Sequence, residues 1–244
     1  MKATLFEFRF RILIALALYC IGFWAPWTRY GAAPPVTTAW LALSTSLARW
    51  GWLPLDQATL LVTVLAIACA CAGAALRIWG AAWLGSSIVQ SSAMHGARVM
   101  ASGPYRFLRN PLYLGTCIFS FGVSILMPPA GALFFLIATL VFYYRLILRE
   151  EDYLARQLGA PYLEYRARIP RRIPGLRPAP PGAVARPHWL QAILGELYVL
   201  GFALCFALLA WRYEPRILIR CLVICFGISV IARAFIPRDV TTGE

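Results

Sequence analysis

Arg109, Asn110 and the adjacent pair Glu150-Glu151 are the residues of this chain whose types and spacing best suit chemistry. Arginine presents a planar fork of donors that matches a carboxylate through paired hydrogen bonds. An ionised glutamate only accepts, so it suits a diol or an ammonium. Asparagine donates and accepts but does not titrate near neutrality. Such a set would bind and orient a small ligand carrying several charged and polar groups. Pro111 restricts Asn110 to an extended conformation and is well placed at a helix start, where anions are favoured. Gly103-Pro104 turns the chain just upstream, so Tyr105, Arg106, Arg109 and Asn110 are expected at one mouth. Tyr144, Leu148 and Glu151 recur at i, i+4 and i+7 and share a helix face, which would bring the Glu pair beside that turn.

The elements that must position these residues are membrane helices. Of 244 residues, 61% are hydrophobic and 14% charged, and the mean hydropathy is +0.69. A soluble domain carries roughly 25% charged residues, so most of this surface must face lipid. The formal net charge is +13, but Lys and Arg lie between apolar runs rather than on one soluble face. They are read as setting membrane orientation, with no nucleic-acid partner. The seven cysteines all fall inside apolar runs, and only His95 and His188 are present. Neither a disulfide framework nor a metal site is expected, and the thiols are read as small buried hydrophobes.

A spanning helix needs about 20 apolar residues. Ile12–Trp27 and Gln57–Leu76 are the first two candidates, the former retained rather than cleaved as a signal peptide. Asn110–Tyr144 is too long for one span, and Met127-Pro128-Pro129-Ala130-Gly131 breaks it into a tight helical hairpin. A fifth span is expected near Trp189–Trp211 and a sixth near Ile217–Ile236. Val36–Leu55 reads as a re-entrant or interfacial helix. Basic clusters before the first span, at Arg77–Arg109, at Arg145–Arg186 and after the sixth then all fall on one side, which the positive-inside rule makes cytoplasmic. The expected fold is an all-α integral membrane protein with about six spans, a Pro-broken hairpin, a cytoplasmic-face site and both termini cytoplasmic, in a bacterial inner membrane. Its expected parts are N-terminal helices over 1–90, a core over 91–177, a Pro-rich linker over 178–188 and a two-helix appendage over 189–244.

Within His95–Pro174, Gly103-Pro104-Tyr105-Arg106, Arg109-Asn110-Pro111-x-Tyr113, Glu150-Glu151 and Tyr162-x-x-Tyr165…Pro170-Arg171 occur in order around the hairpin. With the Leu84-Gly85-Ser86 approach, they resemble the isoprenylcysteine carboxyl methyltransferase and phospholipid N-methyltransferase superfamily over about a third of the chain. The resemblance implies S-adenosylmethionine as cofactor and a lipophilic methyl acceptor in the bilayer, an aminophospholipid first. The alternatives are an isoprenylcysteine-type carboxylate or a small thiol. It implies cofactor binding by Gly103, Tyr105, Arg106, Arg109, Asn110, Tyr113, Glu150 and Glu151, with Arg109, Asn110 and Glu151 as the catalytic set. One departure matters. Many members of that superfamily have His before the proline, where this chain has Asn110, so no base is expected there.

Plainer readings stand beside these. Arg106 and Arg109 could be orientation anchors, the Glu pair a solvated face, Tyr105 and Tyr113 interfacial aromatics, and Tyr162 and Tyr165 packing residues. Glu196, an ionisable residue inside the fifth apolar run, invites either a substrate role or pairing with an Arg. A small transporter would scatter polar residues through several spans, whereas here they cluster at one end. A non-catalytic membrane partner is the other rival.

Overall fold

The computed structural model describes residues 2–24, 37–84, 101–171, 174–175 and 186–212, with 220, 223–225, 227–228 and 231. The Gly85-Ser86 approach, His95, most of the 178–188 linker and most of the expected sixth span lie outside them. Among the described residues the regular elements are all helical. They are α1 (Leu5–Arg9), α2 (Arg11–Trp24), α3 (Ala39–Arg49), α4 (Leu55–Leu84), α5 (Pro111–Ser124), α6 (Pro129–Leu158), α7 (Ala160–Arg168), α8 (Trp189–Gly195) and α9 (Leu197–Arg212). A short 3-10 turn, Gly103–Arg106, lies between α4 and α5.

Two of these helices, α4 and α6, are long and apolar enough to cross a membrane, and α8 with α9 would make a third if that bent pair is one span. At 1.5 Å per residue a 30-residue helix is about 45 Å long, more than a bilayer core requires. The apolar α2 and α5 are shorter. Three expectations change in detail. The second span does not stop at Leu76 but runs on through Arg77 to Leu84. The hairpin break is 125–128, and Pro129 opens α6, because a proline costs a helix nothing at its first position. The fifth apolar run is bent by 65° at Glu196.

The chain divides into two compact units. The first comprises Met1–Gly73 with Thr116–Leu148, the second Ala74–Gly115 with Arg149–Glu244. In the first unit, the 125–128 turn is held by α3, whose amides at Ala39 and Trp40 donate to the carbonyls of Met127 (2.7 Å) and Ile125 (2.8 Å). Two orphan donors of a helix start thus satisfy two carbonyls of a turn, a use of α3 consistent with a helix too short to span. Met127 and Phe135 are fully buried against Ala39, with Leu18, Tyr19 and Phe23 around them. At the N-terminus, Thr4 and Glu7 form a capping box on α1, and Glu7 also receives Arg145 Nη2 at 2.8 Å. The Thr4 amide above all holds the Glu7 carboxyl below its ordinary value.

Helix α4 presents a seam of small residues: Ala58, Ala66 and Ala70 are all buried. Gly122 of α5 fits against it so closely that a Cβ there would stand 2.5 Å from the Ala66 carbonyl oxygen and 2.9 Å from the Ala70 amide. Those are backbone atoms of another helix and cannot swing aside. Gly122→Ala should therefore lower stability by about 1–3 kcal/mol, the usual cost of overpacking. Thermal unfolding in detergent reads it, and an unchanged midpoint would mean the two helices separate freely.

Candidate active site

The second unit assembles its polar centre on the segment between α4 and α5. Gly103 enters the 3-10 turn at φ +55°, a left-handed conformation that glycine adopts without penalty, and its Cα faces the indole of Trp83. A tight turn follows, burying Pro104, Tyr105 and Leu108. Asn110 then precedes Pro111, the first residue of α5.

Glu151, on α6, lies beneath this turn and is 3% exposed. Its carboxylate accepts Arg109 Nη1 at 3.0 Å, Asn110 Nδ2 at 3.0 Å, and Arg171 through Nε at 3.0 Å and Nη2 at 2.7 Å. Two guanidiniums and an amide thus converge on one buried carboxylate. An ionised carboxylate out of water is costly unless it is fully hydrogen-bonded, and this one is. Of the predicted Tyr144–Leu148–Glu151 face, it is Glu151 that meets the turn.

A strap after α7 secures the arrangement from the other side. Pro170 O accepts the Arg109 amide at 3.1 Å, and the Gly175 amide donates to Phe107 O at 2.8 Å. The Tyr165 hydroxyl donates to the Tyr105 carbonyl at 2.9 Å. Burial pushes the phenols of Tyr105, Tyr162 and Tyr165 up, and negative charge on Glu150 adds to this at Tyr105. All three remain neutral hydrogen-bonding groups.

Direct hydrogen bonds bring Arg109, Asn110 and Glu151 together. Arg106 is half-buried on the same turn, Tyr113 on the first turn of α5, and Glu150 on α6 beside Glu151. Arg171 is the member that sequence reasoning left without a role. Its signal was the Pro170-Arg171 ending, which has no helical periodicity to tie it to Glu151. Tyr162 is buried, in keeping with a packing role.

Three donors on or against this turn are buried without a hydrogen-bond partner among the described residues: Tyr105 Oη, Arg109 Nε and Trp83 Nε1. Buried donors are almost always satisfied, and three at one turn suit a partner rich in acceptors. Among the described residues no group of three or more His, Cys, Asp or Glu is placed to hold a metal ion.

The family model "Phospholipid methyltransferase" matches residues 61–160. Protein-S-isoprenylcysteine O-methyltransferase B of Arabidopsis thaliana is 32% identical over 78 residues, which cover 32% of this chain and 40% of that protein. Protein-S-isoprenylcysteine O-methyltransferase of Dictyostelium discoideum is 31% identical over 90 residues, which cover 36% of this chain and 38% of that protein. The chain therefore spans about two fifths of the length of the curated relatives it matches. No solved structure matches. The matched stretch contains the Gly103–Pro111 turn, the hairpin and Glu150-Glu151, and over it the chain is similar to phospholipid methyltransferases and to isoprenylcysteine O-methyltransferases.

Proposed function

We propose that this protein transfers the methyl group of S-adenosylmethionine to a lipophilic acceptor at the membrane–cytoplasm boundary, first of all to the amine of an aminophospholipid. The observation that carries the reading is the buried Arg109–Asn110–Glu151–Arg171 cluster, inside the family-matched turn and hairpin and flanked by three unsatisfied donors.

The donor set fits the cofactor, whose carboxylate, ribose oxygens and adenine nitrogens are acceptors. Arg109 and Asn110 would hold the carboxylate end, with Gly103, Tyr105, Arg106, Tyr113 and Glu150 lining the remainder. Glu151 is already engaged by Arg109, Asn110 and Arg171, so its part is to hold those donors in place rather than to touch the ligand. When bound, the cofactor supplies an electrophilic methyl on a sulfonium, a good leaving group, and displacement at it needs no metal. What the chain adds is alignment and exclusion of water, which can account for much of such a rate enhancement. Asn110 contributes orientation through its amide and moves no proton.

Around this core the proposal keeps six spans, both termini and the Arg145–Pro187 region on the cytoplasmic side, and the Pro128-Pro129 turn outside, in a bacterial inner membrane. Residues 91–177 would be the catalytic core, 1–90 its N-terminal helices, and 189–244 an appendage reached through the 178–188 linker. The partners would be the bilayer and the acceptor, with no nucleic acid and no metal. The names of the two relatives favour a second acceptor, an isoprenylcysteine-type carboxylate.

The purified protein should bind S-adenosylhomocysteine, and Arg109→Ala should weaken that binding on the order of a hundredfold. Labelled cofactor offered with phosphatidylethanolamine vesicles or with a prenylated cysteine should then mark the acceptor. No calorimetric binding by the wild-type chain would overturn the reading.

A further inference from the structure

Glu196 sits where α8 meets α9, 2% exposed, in a stretch apolar enough to lie in the membrane. Its carboxylate takes Arg77 Nε at 2.7 Å and Nη2 at 2.8 Å, and the same guanidinium donates to Tyr198 Oη at 3.2 Å. Arg77 lies within the family-matched stretch and Glu196 outside it. Replacing a buried pair by apolar residues is often neutral or stabilising, so stability alone is a poor reason for one here.

The contacts around the pair suggest its use. The His188 amide, just before α8, donates to the Ala82 carbonyl at 2.8 Å, and fully buried Ala192 packs on Ala81 and Ala82. These contacts and the Arg77–Glu196 fork fix α8 and the start of α9 to the last two turns of α4. The same two turns support the site. Trp79 packs on Phe107, Gly80 admits Leu112 at 3.1 Å from where its Cβ would stand, and Trp83 lies on Gly103. The site turn is thus held by residues 169–171 and 174–175 and by the end of α4, and α8 packs on that same end, where Trp83 and Leu112 join the Ala81–Ala82–Ala192 cluster. The apolar surface of α8 and α9 suits a lipophilic acceptor, whereas a charged, water-soluble cofactor gains nothing from it.

We infer that the Arg77–Glu196 pair is a positioning device for the acceptor side of the site, holding α8 and α9 against the end of α4 and so setting how well a lipophilic acceptor binds. The inference rests on the methyltransferase reading above. Glu196→Gln should raise the KM for acceptor in phosphatidylethanolamine or prenylcysteine assays about tenfold, a modest case of misplacement at a distance. S-adenosylhomocysteine affinity should stay within about twofold, since the pair reaches the cofactor residue Tyr105 only through its charges, which act on it in opposite senses. Glu196→Asp should restore part of the loss. An unchanged KM, or cofactor affinity lost in parallel with it, would overturn the inference. Hydrogen exchange keeps the two hypotheses apart. Even if the wild-type chain bound no S-adenosylhomocysteine, Glu196→Gln should speed exchange of the 188–200 amides, which the pair ties to the end of α4, and unchanged exchange there would overturn the positioning role.

Discussion

Glu151→Ala should cost about 3–5 kcal/mol, the penalty for removing one partner of a buried, hydrogen-bonded ion pair. The loss exceeds the sum of the hydrogen bonds because of what remains. Arg109, its side chain 9% exposed, and Arg171 would keep their charges with no carboxylate between them. Asn110 would lose the acceptor that orients its amide. Glu151→Gln keeps the volume but places an NH2 group among donors, so it should rescue little. Affinity for S-adenosylhomocysteine should fall on the order of a hundredfold or more in either variant. A double-mutant cycle separates holding from touching. If Glu151 acts through Arg109, then Arg109→Ala with Glu151→Ala should lose much less than the two single losses added together. Additive losses would mean that Glu151 meets the ligand itself, and the positioning role would fall.

Gly103→Ala should be the second most damaging exchange. At φ +55° a side chain strains the backbone by about 1–2 kcal/mol. The new Cβ would also stand 2.4 Å from two atoms of the Trp83 indole. A ring cannot give way like the end of a flexible chain, so overpacking adds about 1–3 kcal/mol. The unfolding midpoint and cofactor affinity should both drop, since this turn carries Tyr105 and leads into Arg109. Adding Trp83→Ala should relieve the steric share and leave the backbone share. If Gly103→Ala alone leaves the midpoint unchanged, the turn does not constrain the site.

Much of the site could be read in advance because its parts obey local rules. Pro111 had to open a helix, Gly103-Pro104 had to turn, and Glu151's helix face followed from its spacing to Tyr144 and Leu148. What escaped depends on partners far along the chain. Arg77 looked like the end of a span, yet α4 continues through it, and Glu196, 119 positions away, takes its charge. Glu196 in turn bends a run that composition alone reads as one straight helix. Arg171 reaches Glu151 from an irregular strap, where no periodicity points inward. The helical character and the hairpin were legible from apolar run length and proline placement. The span count rests on charge alternation, and the helices themselves show two or three candidates among the described residues.

The alanine seam of α4, met by Gly122, has an entropic consequence. Alanine and glycine have no rotamers to freeze, so bringing these two backbones together orders almost no side chain. Longer residues at the same crossing would each surrender up to about 1–2 kcal/mol of torsional freedom. In lipid, where water does not drive apolar surfaces together, that difference weighs heavily. The crossing of α4 and α5 within the first unit should therefore hold its register at almost no cost in side-chain freedom.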